Sequence, residues 1–257
     1  REAFSLVLRS PRIWGLQLPG NVLIFLLFTA WLRLSEAHWW DLLLNLIVIV
    51  LVAVAALVLH GGTLNYYQSA HADRSAMLTP EFKKALKHVL ALAVWAAIFF
   101  FLWLQVDGLS DYQYAFPGFL RSELPGWLRK HTTDSGFTDA YQFAVTLLRW
   151  VVLPGLLLPP ALLAAGQGFR GLVRMREWGG MLRSVSYWTV LVLAALLGVA
   201  VTAALMGMKM APRTATLRRE EISLFFRLLA SYLCGMFAWL WVCSMLGRLR
   251  RGGQPAA

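Results

Sequence analysis

The chain has 257 residues, 59% of them hydrophobic and only 14% charged, far from the ~45–50% apolar and ~25% charged usage of soluble domains. Its formal charge of +11 would suit nucleic acid only if the basic residues gathered on one soluble surface; they sit instead in short connections between apolar runs, as topogenic charge does. The longest connection, residues 107–142, is shorter than the ~50 residues of a minimal domain, which excludes a separate catalytic domain.

These constraints predict an all-α integral membrane protein with one domain over residues 1–257. Six transmembrane helices form its bundle, with short interfacial helices at the N-terminus and in the long outer loop. The spans fall at about 13–34, 39–59, 89–106, 143–165, 185–206 and 222–246, each near the ~20 residues that cross the hydrocarbon. The bilayer is the first partner, other membrane subunits are the next, and nucleic acid is not one.

The chain begins with Arg1 rather than Met, which leaves open whether residues precede it, and nothing present reads as a signal peptide. Phe4, Val7 and Leu8 share one side of a short surface helix. The first span has Trp14 and Trp31 near its ends and Pro19-Gly20 in its first turns. The second starts at Trp39-Trp40, and His60-Gly61-Gly62 is expected to stop it. After a basic loop with Arg74, Thr79-Pro80-Glu81 reads as a helix start, so that Lys83, Lys84 and Lys87 ride on the first turns of one long helix that becomes the third span. In the long connection, FPGFLRSELPGWLRKH predicts an interfacial helix between two Pro-Gly breaks.

The fourth span carries Pro154, Pro159 and Pro160. Each proline removes an amide donor, and lipid offers no water to repair the loss. A kinked helix in the bundle interior follows, with neighbouring helices covering the freed carbonyls. A second basic loop with Arg170, Arg174, Arg176 and Arg183 leads to the fifth span, and Lys209, Arg213, Arg218 and Arg219 precede the sixth. Fourteen Lys and Arg fall on the side of the termini and eight on the other, which predicts a cell-membrane protein with both termini cytoplasmic. The second and third spans echo the fourth and fifth, with slight identity; duplication and common topology both explain it.

Gly166, Gly168 and Gly171 spell GxGxxG, but they follow a membrane helix rather than a strand, so helix termination with close packing is expected in place of a dinucleotide site. His60 and His88 lie at the same ends of adjacent spans. Interfacial histidines explain them better than a metal or haem, no recognised ligand spacing accompanies them, and no cofactor is expected. Cys234 and Cys243, nine residues apart, fall on opposite faces of one helix. Asn21 and Asn45 are expected to hydrogen-bond between helices.

Arg149 and Arg227 each lie five or six residues inside a span. They either snorkel to the interface or, with Arg33, form a site for an anion or lipid headgroup near the outer face. No Ser/His/Asp set, HExxH or intramembrane acid pair occurs in the sequence, so no catalytic residue is assigned. Two functions remain open: a non-catalytic structural or accessory membrane component, and a small permease or lipid-handling protein. The layout resembles many small bacterial six-helix inner-membrane proteins, a likeness too generic to carry a function.

Overall fold

Chain length sets the architecture, because each apolar run is too long to fold back on itself as anything but a helix that closes its own backbone hydrogen bonds. The computed structural model describes residues 2–34, 38–73, 76–207 and 217–252, and every regular element among them is helical. Six segments are long and apolar enough to cross a membrane: Pro11–Trp31, Trp39–Ala72, Val89–Tyr112, Asp134–Gln167, Val185–Gly207 and Glu220–Arg250. Of the residues singled out in the sequence, Arg74, Lys209 and Arg213 lie outside the described residues.

The chain divides into two compact units, Arg1–Ala93 with Pro159–Ala257, and Val94–Leu158. In the first, α1 (Glu2–Leu8), α2 (Pro11–Trp31), α3 (Trp39–Ala72) and α4 (Leu78–Lys87) precede the later helices α10 (Phe169–Val173), α11 (Met175–Leu182), α12 (Val185–Ala195), α13 (Val201–Gly207) and α14 (Leu217–Gly252). Helices α3 and α14 are its centre: α2 and α4 pack on α3, and α1, α12 and α13 pack on α14. The second unit holds most of α5 (Val89–Gly108), the short helices α6 (Ala115–Ser122) and α7 (Gly126–Lys130), and α8 (Asp134–Leu147). Helix α9 (Leu153–Gln167) follows a π turn at Leu148–Val152.

Close approach of α3 and α14 depends on one glycine. A Cβ on Gly247 would come within 2.7 Å of the Tyr67 carbonyl carbon and 2.8 Å of the Gln68 nitrogen, and backbone cannot move aside as a side chain can. Polar groups then stitch the unit together. Gln17 on α2 donates to the carbonyl of Leu59 at 3.1 Å and to the Thr63 hydroxyl, while Tyr232 on α14 donates to the Leu18 carbonyl at 2.6 Å. Asn21 does not reach across helices as expected; it donates within α2, to the backbone and side chain of Gln17. The interhelical role falls to Gln17 instead, whose longer stem reaches α3 from a fully buried position.

Several boundaries differ from the sequence expectation for identifiable reasons. Helix α3 runs through Gly61 and Gly62 to Ala72, because these glycines are packing notches: a Cβ there would lie 2.6 Å from Leu92 and 2.7 Å from the Phe82 ring. At about 1.5 Å per residue the 34 residues of α3 measure about 51 Å, well beyond the ~30 Å hydrocarbon. The expected single helix into the third span is interrupted at His88, which takes φ −106° and ψ 17° between α4 and α5. In the long connection Pro117-Gly118 is absorbed into α6, and only Pro125-Gly126 separates two short helices.

The fourth segment is the most buried, 50% of its apolar window against 44% for the sixth and 11% for each of the other four. Pro159 and Pro160 lie within helical α9, and the irregular turn precedes Pro154, where the Leu153 amide bonds the Leu148 carbonyl. Widening the helix to i→i+5 just ahead of Pro154 offsets its missing amide, a use of the π turn that keeps the segment continuous. Further along, the Trp95 indole donates to the Leu157 carbonyl at 2.7 Å, tying α5 to α9.

Gly247→Ala is expected to lower stability by about 1–3 kcal/mol in detergent unfolding, the cost of overpacking against backbone. Gly179→Ala in α11, where an added Cβ meets nothing within 4 Å, should be neutral or stabilising by up to ~1 kcal/mol. Equal effects of the two substitutions would contradict the close α3–α14 approach.

Candidate functional site

Two helical stripes in the second unit build the site. Trp103, Asp107 and Ser110 recur at i, i+4 and i+7 along α5 and its 3₁₀ extension Leu109–Tyr112, and Gln142, Thr146 and Arg149 recur at the same spacing along α8 and the π turn. Residues so spaced share one face of a helix.

Arg149 joins the two stripes. Its Nη2 contacts the Asp107 carboxylate at 2.5 Å and donates to the Ser110 hydroxyl at 2.9 Å. The guanidinium lies over the Trp103 ring, 5.6 Å from its centroid. The arginine side chain is 20% exposed and the aspartate 48%, so the pair sits at the rim of its surroundings, where ion pairing is worth less than in a dry interior. Beside it lies a cavity of about 270 Å³, lined by Ser110, Gln113, Tyr141, Gln142, Thr146 and Arg149 among others. Gln142 donates to the Gln113 side-chain carbonyl at 2.7 Å, and the Tyr141 hydroxyl donates to the Leu109 carbonyl at 2.7 Å.

Arg227 lies in the first unit, on α14. It donates to the Ser223 carbonyl and, at 3.4 Å, to the Met206 carbonyl in the last turn of α13, a favourable place for a cation because helix C-terminal carbonyls carry negative partial charge. Arg33 is exposed in the turn that closes α2. Arg149 therefore has a carboxylate partner, Asp107, that the sequence reading did not assign to it. That reading also missed Ser110, Gln113, Tyr141, Gln142 and Thr146. The signal was present as polar residues at i, i+4 and i+7 on two spans, hidden by the apolar residues around them.

A buried polar cluster occupies the first unit. Asn65, fully buried, donates to the Ala165 carbonyl at 3.0 Å and the Glu81 carbonyl at 3.4 Å. Ser69 donates to the Glu81 carboxylate at 2.7 Å, and the Arg250 guanidinium donates to the Gln68 side chain. His71 Nε2 contacts the Ser244 carbonyl at 2.8 Å. His60 packs edge-on against Trp239, with ring centroids 5.2 Å apart, and a Cβ on Gly168 would lie 2.7 Å from the His88 ring. The two histidines thus have separate neighbours. Among the described residues no three His, Cys, Asp or Glu are grouped as metal ligands.

The glycine motif is a packing device. Gly168 takes φ 66°, open to glycine at little cost, and ends α9 beside His88. A Cβ on Gly171 would strike the Leu163 carbonyl, and one on Gly166 would crowd the Arg250 guanidinium and Asn65. His88 itself is held below the usual imidazole pKa, chiefly by burial and further by Lys87 and Lys84.

Comparison with known proteins finds no matching family model, no matching curated protein and no matching solved structure.

Asp107→Asn and Arg149→Gln are expected to destabilise non-additively, with a coupling energy of about 0.5–1 kcal/mol for a pair this exposed. A double-mutant cycle on unfolding in detergent measures it; strict additivity would separate the two side chains.

Proposed function

We propose that this chain is a non-catalytic structural or accessory component of the cell membrane, with both termini cytoplasmic and other membrane subunits as partners. One observation carries the reading: Arg149, the arginine best placed within the second unit to serve a substrate, is engaged by Asp107, Ser110 and Trp103. An arginine so held ties two helices together, and its charge is balanced within the protein. The apolar exteriors of the long segments support the membrane assignment: Phe25, Leu51, Phe100 and Phe225 are 60–65% exposed, which water would penalise and lipid does not.

The second reading is a small permease or lipid-handling protein with an anion or headgroup site near the outer face, for which Arg149, Arg227 and Arg33 are the candidate ligands. The cavity beside Arg149 favours it.

Reporter fusions at His131 and at the C-terminus are expected to give outside and inside signals respectively, following the excess of Lys and Arg on the side of the termini. The reverse pattern would remove the proposed orientation. For the accessory reading, the protein extracted from its own membranes in mild detergent should migrate on native gels well above the 28.9 kDa chain with its detergent. Migration as a detergent-bound monomer under those conditions counts against it.

A further inference from the structure

The cavity beside Arg149 is rich in unused donors. Arg149 spends Nη2 on Asp107 and Ser110, leaving Nη1 without a partner among the described residues. Gln113 accepts through its side-chain oxygen, and its amide protons have no partner among the described residues. Ser110 accepts from Arg149 and keeps its own proton to give, and the Thr146 hydroxyl has no partner among the described residues. No carboxylate lines the cavity. One fixed positive charge with hydroxyl and amide donors around it is the chemistry that receives phosphate oxygens.

Two further features narrow the ligand. Asp107 balances Arg149, so the site as a whole carries no net charge, and its second carboxylate oxygen has no partner among the described residues while the side chain is 48% exposed. A ligand with both a phosphate and an ammonium meets both charges, whereas a simple anion meets only one. Next to the cavity-lining stripe of Gln142, Thr146 and Arg149, the same helical path carries Phe143, Leu147 and Trp150 at i, i+4 and i+7, exposed by 69%, 38% and 42%. A polar cleft flanked by an exposed apolar stripe matches a molecule with a polar head and an acyl body. The volume of about 270 Å³ is just below the ~300–1,000 Å³ of small-molecule sites, enough for a headgroup and not for a whole lipid.

We infer that this cavity binds the headgroup of a zwitterionic phospholipid of the phosphatidylethanolamine type. Its phosphate is held by Arg149, Ser110, Gln113 and Thr146, its ammonium lies at Asp107, and its chains run along Phe143, Leu147 and Trp150. The inference rests on the lipid-handling reading above and names the ligand for it.

Native mass spectrometry of the full chain in detergent, with phosphatidylethanolamine, phosphatidylglycerol or inorganic phosphate added, tests it. Phosphatidylethanolamine is expected to be retained in preference to phosphatidylglycerol. Gln113→Glu, which preserves the acceptor for Gln142 but sets a carboxylate against the phosphate, should weaken retention about tenfold or more. Thr146→Val, near-isosteric and not itself a partner in the ion pair, should weaken it by a smaller factor. Asp107→Asn should turn the preference towards phosphatidylglycerol, a change that loss of packing alone does not produce. Selective retention unaffected by all three substitutions would overturn the site while leaving a lipid-handling protein with its ligand elsewhere. Retention of no lipid in preference to another would overturn the lipid-handling reading and the site with it. Binding of inorganic phosphate without lipid, lost in Gln113→Glu, would make this a free-phosphate site and overturn the headgroup assignment.

Discussion

A backbone carbonyl that neither its own helix nor water can satisfy is the constraint on which this structure depends, since in an apolar setting each such group costs several kcal/mol. Within each unit, side chains supply added donors to carbonyls of neighbouring helices. The Trp95 indole serves Leu157 ahead of the Pro159-Pro160 pair, Asn65 serves Ala165 near the end of α9, Gln17 serves Leu59 beside the glycine notch of α3, and Tyr232 serves Leu18 one residue before Pro19. The π turn ahead of Pro154 is the backbone's own accommodation of a missing amide.

Such donors act only if the helices come close, and the glycines arrange that. Gly61 and Gly62 seat Leu92 and Phe82 against α3, and Gly247 brings α14 onto the α3 backbone. In the lipid setting proposed for these helices, contact between them relies on close packing and on polar side chains that reach across. The first unit combines both in one place, around Asn65, Gly166 and Arg250.

Helical character and the six long segments were legible because mean apolarity over ~20 residues needs no tertiary information. The burial of the proline-bearing segment, half of its apolar window, was legible too, from the chemistry of missing amides. Less legible was what each glycine does: Gly61-Gly62 has the composition of a helix end, and only the nearness of Leu92 and Phe82 makes it a notch. The partner of Arg149 was also hidden. Asp107 is 42 residues away in sequence, and a search for acids close along the same span passes over it, although the matching i, i+4, i+7 stripes of 103/107/110 and 142/146/149 were there to be read.

Replacing Asn65 by leucine, which keeps the branching at Cγ and removes both polar atoms, is the most direct measure of whether buried side chains hold these helices by serving carbonyls. Unfolding of Asn65→Leu in detergent or nanodiscs should show a loss of about 1–3 kcal/mol, the cost of leaving the Ala165 carbonyl without its added donor. Stability equal to or above that of the parent chain would contradict the account, because apolar packing alone would then suffice at the centre of the polar cluster.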